Sequence, residues 1–289
     1  MSTRTAAAAH GVDAVIRRLR AIAAGLPPAD GVAVFNRMYL TVTQTVRARL
    51  DTFADPPAMA VLDTVFARRY LRAVDAVAAR RRPPACWRPL FELRAHPGVH
   101  PVQFALAGMA AHIQHDLPLA VVDTCRRLGR EPEQVEADYH RINDLLAGVE
   151  EAVREQLMPG PDLLERFEPL THRLGAWSVD TARDAAWGSV RVLWELRARP
   201  PAAGAFRTAL DGAAGLLGRA LLLPLGLGDG TAAPGPLPGP LSGPGNGLEN
   251  GPGRGSGGGP GRGPGAGRSE GTRARTAQPQ LECSGLPSA

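Results

Sequence analysis

The residues best suited to chemistry are His112 and Asp116, which lie four positions apart. On a helix this spacing places one side chain directly above the other. An imidazole beside a carboxylate can act as a general base with its orienting acid, and both groups also bind zinc, iron or manganese. His115 lies between them in the sequence. This stretch therefore predicts a divalent-metal site or an acid–base site.

A second pair with the same spacing, His140 and Asp144, lies on a later charged helix. Helical bundles build metal sites from side chains that project inward from different helices. Arg183, four residues before Trp187, could cover that ring or pair with a buried acid such as Asp116. We predict three metal ligands and three catalytic residues. The predicted metal ligands are His112, Asp116 and His140, and the predicted catalytic residues are Asp116, His115 and Arg183.

Structural alternatives account for the same residues without a functional site. His112 could be a core histidine whose ring is held by Asp116, and Asp116 could equally cap a helix that begins at Leu117. His140 could form a solvated ion pair. Asp138 and Asn143, one on each side of it in sequence, could face inward instead.

The helix that must position His112 is the most apolar stretch of the chain. From Val102 to Ala111 its one polar side chain is Gln103. A helix that is apolar on every side must be surrounded by other helices, so we predict a buried central helix. Pro118 predicts a break near Asp116, followed by a new helix that ends at Gly129.

The rest of the folded part predicts amphipathic helices without a convincing strand pattern. We expect an all-α, irregular multi-helix bundle over residues 11–225, with a flexible N-terminus at residues 1–10. From residue 226 to 289 the composition changes to glycine and proline, which predicts a disordered tail. The predicted helices are residues 12–25, 31–50, 56–80, 86–95, 101–116, 119–129, 131–158, 162–167, 175–199 and 203–223.

Composition and missing motifs exclude several functions. The 33 basic residues are all arginine, and the net charge of +5 over 289 residues is only weak support for nucleic-acid binding. Schiff-base chemistry is excluded by the absence of lysine. GxGxxG, GxxxxGK[ST], GxSxG and HExxH motifs are also absent. With three scattered cysteines, no signal peptide and no membrane span, we expect a cytoplasmic protein.

Four segments carry a resemblance to a known family. They read FNRMYL (35–40), CWRPLFELR (86–94), GMAAHIQHDLPLAVVDTC (108–125) and DAAWGSVRVLWELR (184–197). With them the chain resembles an uncharacterised actinobacterial family, domain of unknown function 5995, over roughly residues 11 to 225. The resemblance implies an all-helical bacterial protein and no particular activity. His112, Asp116 and Pro118 also resemble a fragment of the helical zinc-dependent phospholipase C and nuclease group.

These observations favour a small-molecule or metal site near His112 and Asp116. A protein with such a site could be a metal-dependent hydrolase. The cofactor would be a divalent metal: zinc, iron or manganese. The alternative is a non-enzymatic structural or regulatory helical protein that uses its surface or tail for association. The expected partner is a small molecule or another protein.

Overall fold

Helices account for all regular secondary structure in residues 3–143 and 179–224, which are the residues that the computed structural model describes. The all-α prediction is therefore confirmed. The predicted tail from residue 226, the helix at 162–167, Asp144 and Trp177 lie outside the described residues. The helices are α1 (Thr3–Ala24), α2 (Gly31–Ala48), α3 (Pro56–Ala78), α4 (Arg88–Leu93), α5 (Pro101–Ala111), α6 (Leu117–Leu128), a helical stretch at residues 133–143, α7 (Val179–Glu195) and α8 (Pro200–Leu221).

Local sequence signals explain most helix ends. The Asp30 side chain accepts hydrogen bonds from the backbone N–H groups of Val32 and Ala33 and so caps α2. Asp55 caps α3 in the same way, and Gly129 ends α6 in the left-handed conformation with φ 62°. Helix α1 begins at Thr3 rather than at residue 12, because alanine, which dominates residues 6–9, is the strongest helix former.

Helix α5 is the predicted buried central helix. It lies between α2 and α8 and also contacts α4. Its one polar side chain, Gln103, is fully buried, and its amide nitrogen donates to the carbonyl oxygens of Leu221 and Leu223 at 2.7 and 2.8 Å. Gln103 therefore satisfies carbonyl groups at the end of α8, which would otherwise lack partners.

The chain does not turn after α5, contrary to the prediction from Pro118. Residues His112–Asp116 form a single π-helical turn, in which the Leu117 N–H donates to the His112 carbonyl, and α6 follows directly. A proline cannot donate to the carbonyl four residues earlier, and its ring clashes with that group. The wider turn accommodates Pro118 without a break, and wide turns of this kind occur frequently at functional sites.

Two glycines allow α5 to pack closely against α2. A Cβ atom at Gly108 would lie 2.2 Å from a ring carbon of Phe35, and one at Gly31 would lie 2.4 Å from a ring carbon of Phe104. These distances are much shorter than any tolerated contact between carbon atoms. The α2–α5 contact therefore requires glycine at both positions.

Gly108→Ala is expected to lower the free energy of unfolding by about 1–3 kcal/mol, as overpacking of a dense core does. The matched control is Gly188→Ala at an exposed position of α7, where an added Cβ meets nothing within 4 Å. That substitution should stabilise the helix by about 0.5–1 kcal/mol. Urea unfolding of both variants measures the difference, and equal effects would contradict the packing described here.

No helix within residues 3–143 and 179–224 is long and apolar enough to cross a membrane.

Candidate functional site

The Asp116 carboxylate contacts three side chains just after the C-terminal end of the central helix α5. Its Oδ2 atom accepts from Trp87 Nε1 at 3.0 Å and lies 3.1 Å from His112 Nδ1. Its Oδ1 atom lies 2.9 Å from His115 Nδ1. Asp116 is 2% exposed, so the carboxylate depends on these partners to remain charged in the core.

The protonation state of this group follows from its hydrogen bonds. Burial by itself raises the pKa of Asp116, but hydrogen bonds from His112 and His115 outweigh it and hold the pKa at about 2. Burial lowers the pKa of His112, and Asp116 opposes this only in part. His112 is therefore a neutral imidazole whose Nδ1–H donates to the carboxylate, and Nε2 carries the lone pair.

Neighbouring rings hold His112 rigidly. Its imidazole stacks on Phe66 with ring centroids 3.6 Å apart and meets the Tyr39 ring edge-on at 4.6 Å. Phe35, Trp87 and Tyr70 also lie around it, with ring centroids at 6.0, 5.7 and 6.3 Å. Both the orientation and the tautomer of His112 are thus fixed, which is the requirement for a general base or for a selective hydrogen-bond acceptor.

A cavity of about 120 Å³ lies beside His112, with walls that are mostly hydrocarbon. An engineered apolar cavity of roughly 150 Å³ in another protein stays dry and binds benzene, so this space suits a single-ring molecule. Among the described residues its walls are Phe35, Met38, Tyr39, Val42, Val46, Met59, Leu62, Asp63, Phe66, Met109, His112, Ile113, Leu117, Tyr139, Ile142, Val179 and Arg183.

Three of these cavity residues carry a buried polar atom without a hydrogen-bond partner among the described residues. The atoms are His112 Nε2, Tyr39 Oη and Asp63 Oδ2. Leaving such an atom unsatisfied costs about 1–3 kcal/mol each. All three residues line the same mostly apolar cavity.

Arg183 lies in the same cavity wall and is 3% exposed. Its guanidinium covers the Tyr139 ring at 4.4 Å, donates from Nη2 to the Tyr139 carbonyl at 2.6 Å, and donates from Nε to the Asn143 side chain. The structure therefore shows contacts with Tyr139 and Asn143 rather than the predicted cover of Trp187 or pairing with Asp116. Burial lowers the pKa of Arg183, which makes this position costly for a cation.

Asp63 is expected to make the protein less stable as the pH rises. Burial raises the pKa of Asp63 from its ordinary 3.8 to about 7 in the folded protein. Between these values the folded state holds a proton that the unfolded state has lost, so stability falls with rising pH and the loss is complete above pH 7. The loss is at most about 4 kcal/mol, since one pKa unit corresponds to about 1.4 kcal/mol.

Asp63→Asn removes this effect. Relative to the unmodified protein, the variant should gain stability as the pH rises from about 4 to about 7 in chemical unfolding experiments. The control Asp75→Asn alters an exposed carboxylate that pairs with Arg18 at 2.7 Å and should show no such gain. A pH-independent difference between Asp63→Asn and the unmodified protein would contradict the assignment.

The structure brings only some of the sequence-predicted residues together. His112, His115 and Asp116 form one hydrogen-bonded group, whereas His140 is half-exposed, 4.0 Å from Glu136 Oε1 and 3.8 Å from Asp184 Oδ1. His140 therefore lies beside two carboxylates near the surface, and these contacts do not bring it to His112. Asp138 does face inward and accepts from the backbone N–H groups of residues 54 and 55.

A second group of donor atoms lies on the other side of Asp116. Cys86 Sγ is 3.3 Å from His115 Nδ1, and His115 Nε2 is 3.9 Å from Asp211 Oδ1. One donor atom from each of Cys86, His115 and Asp211 can be chosen so that all lie within 4.8 Å of one another, which is a group able to hold a metal ion. Burial raises the pKa of the Cys86 thiol, and the carboxylates of Asp116 and Asp211 raise it further.

A family model described as "Family of unknown function (DUF5995)" matches residues 12–224. The chain belongs to this family. The resemblance predicted from the four sequence segments is therefore confirmed. No curated protein and no solved structure matches the chain.

Three of the four segments that carry the DUF5995 resemblance also supply much of the site. The first contains Phe35 and Tyr39 of the cavity wall, and the second contains Cys86 and Trp87. The third contains the π-helical turn, with His112, His115 and Asp116. The sites on both sides of Asp116 thus lie inside the part of the chain that matches the family.

Sequence reasoning missed four residues that the structure brings to the site: Tyr39, Asp63, Cys86 and Asp211. Two of them had a detectable signal. Asp211 is the one acidic residue of α8, and Asp63 is the one charged residue in the first twelve positions of α3, Pro56 to Ala67. Tyr39 and Cys86 gave none, because a buried aromatic ring or thiol is the common case in a helical core.

Proposed function

We propose that this protein binds a small, largely apolar molecule in the cavity beside His112, and that His112 Nε2 accepts a hydrogen bond from a donor group of that molecule. The observation that carries the proposal is the state of His112. Its Nδ1–H is held by Asp116, while its Nε2 is buried without a partner among the described residues. A neutral imidazole in this state is a strong acceptor in a place from which water is largely excluded.

The cavity supports the apolar character of the ligand. Methionine, leucine, valine and aromatic side chains make up most of its wall, and such sites bind mainly by excluding water from hydrocarbon. Asp63 and Tyr39 provide two further polar atoms for the same ligand. With a pKa of about 7, Asp63 can donate as a carboxylic acid at neutral or lower pH.

Hydrolysis is the second candidate, and the His112–Asp116 pair favours it. In that reaction Nε2 would take a proton from a water molecule as the water oxygen attacks the substrate, and Asp116 would stabilise the imidazolium that forms. A metal at His112 is not part of the proposal, because its ring is enclosed by Phe66 and Tyr39. The predicted zinc, iron or manganese remains a prediction, for which Cys86, His115 and Asp211 are the better placed donors.

Calorimetric titration with phenol and toluene tests the binding proposal, since the two molecules have the same size and differ in one hydroxyl group. A buried hydroxyl without a partner costs about 1–3 kcal/mol, so a cavity without an acceptor would bind phenol at least fivefold more weakly than toluene. We expect phenol to bind at least as tightly as toluene.

Two substitutions of the cavity residue Val42 locate the binding site. Val42→Phe fills the cavity and should abolish binding of both probes, whereas Val42→Ala enlarges it and should preserve binding. If the unmodified protein binds neither probe, the proposal is overturned. His112 would then be a core histidine whose ring is held by Asp116. Binding that Val42→Phe does not alter would also overturn it, because the probes would then bind elsewhere.

A further inference from the structure

The most metal-like group of side chains in the described residues lies outside the cavity, at Cys86, His115 and Asp211. The three donors come from separate elements: the loop before α4, the π-helical turn and α8. We propose that these three residues bind a divalent cation of the zinc type, independently of the ligand proposed for the cavity.

His115 is oriented for this role by Asp116. Asp116 Oδ1 is 2.9 Å from His115 Nδ1, so Nδ1 donates its proton to the ionised carboxylate. The other ring nitrogen, Nε2, then presents its lone pair toward Asp211 Oδ1 at 3.9 Å. A cation between these two atoms would have a ligand on each side. A carboxylate that holds the far nitrogen of a metal-bound histidine is the usual arrangement in zinc proteins.

Asp211 is held in place as firmly as His115. Its two carboxylate oxygens accept hydrogen bonds from the backbone N–H groups of Ala85 and Cys86, both at 2.9 Å. The close approach of α8 to this loop requires Gly215, because a Cβ there would lie 2.7 Å from the Ala85 carbonyl oxygen. The loop and α8 therefore bring the Cys86 thiol and the Asp211 carboxylate together before any ion binds.

The donor set selects the kind of cation. One sulfur, one imidazole nitrogen and one carboxylate oxygen suit zinc and cobalt, whereas magnesium and calcium prefer oxygen ligands alone. Three protein ligands leave a fourth tetrahedral position for water. The Asp211 side chain is 25% exposed, so an ion can reach the group from the α8 side.

Cobalt titration of the full-length protein tests the site, because Co²⁺ bound to a thiolate gives a charge-transfer absorption band. After treatment with a chelator, the unmodified protein is expected to bind one Co²⁺ per chain with this band and to release it to Zn²⁺. Cys86→Ser should lose the band. Asp211→Asn should keep the thiolate but bind at least about tenfold more weakly, as loss of a ligand requires.

The control is Cys125→Ser, which alters the other buried free thiol of the described residues and should leave the cobalt spectrum unchanged. Circular dichroism establishes whether each variant is folded. If Cys86→Ser does not fold, the cobalt affinity of Asp211→Asn tests the site. The proposal is overturned if the unmodified protein binds no cobalt. It is also overturned if Cys86→Ser retains the band, or if Asp211→Asn binds as tightly as the unmodified protein.

Discussion

Asp116→Ala is expected to lower the free energy of unfolding by about 3–5 kcal/mol, the largest loss of stability that we predict for any single substitution. The carboxylate accepts from Trp87 and holds both His112 and His115. Its removal leaves three buried donors without a partner and opens a space in the core. Urea or thermal unfolding at neutral pH measures the effect.

Asp123→Ala is the matched control for this prediction. It removes a carboxylate from the same part of the chain, but Asp123 is 36% exposed and pairs with Arg69 at 2.6 Å near the surface. Such pairs contribute about 0–1 kcal/mol. If the two substitutions destabilise the protein equally, Asp116 is not the centre of a buried hydrogen-bonded group.

Acid should remove the contribution of Asp116 progressively. Its pKa is about 2 in the folded protein, against an ordinary value of 3.8. The folded pKa is the lower one, so the stabilisation is fully present above about pH 4 and is lost as the pH falls toward 2. Asp116→Ala should lack this part of the acid dependence.

His112→Phe is expected to produce the largest change in ligand preference. The phenyl ring can keep the aromatic stack on Phe66 and adds one heavy atom, but it removes the acceptor atom. Phenol binding should weaken by about 1–3 kcal/mol, which is fivefold to more than a hundredfold, because the phenol hydroxyl loses its partner. Toluene binding should change by less than about threefold, since the cavity is otherwise retained. Calorimetric titration of both probes measures the two effects.

The control for His112→Phe is His140→Phe, which alters a half-exposed histidine beside Glu136 and Asp184 and should leave both probes unaffected. A His112→Phe variant that still binds phenol as tightly as the unmodified protein would show that His112 is not the acceptor. Equal weakening of phenol and toluene would instead indicate that the substitution had collapsed the cavity.

The sequence predicts the central helix well because its signal is local. An apolar run with a single glutamine cannot face water on any side, and Gln103 is indeed buried in the structure. The spacing of His112 and Asp116 likewise predicts their contact. The π-helical turn is not predictable from spacing, because Pro118 is equally consistent with a break in the chain and with a widened helix.

Long-range contacts explain what the sequence could not predict. Asp211 meets the backbone of Ala85 and Cys86 across 125 residues of chain, and no local pattern indicates that approach. Asp63 and Tyr39 reach the cavity because α2 and α3 both lie against the π-helical turn. The sequence therefore predicts the contact between His112 and Asp116 at the centre of the site. The cavity and the group of Cys86, His115 and Asp211 depend on tertiary packing.

Nitrogen-15 NMR of the protein labelled at histidine tests the central claim most directly, because the chemical shifts of the two ring nitrogens report which one carries the proton. For His112 we predict a protonated Nδ1 and an unprotonated Nε2 at neutral pH. Addition of phenol should move the Nε2 signal toward that of a hydrogen-bonded acceptor, and toluene should not. A proton on Nε2 in the free protein, or an Nε2 signal that phenol leaves unchanged while it binds, would contradict the proposed site.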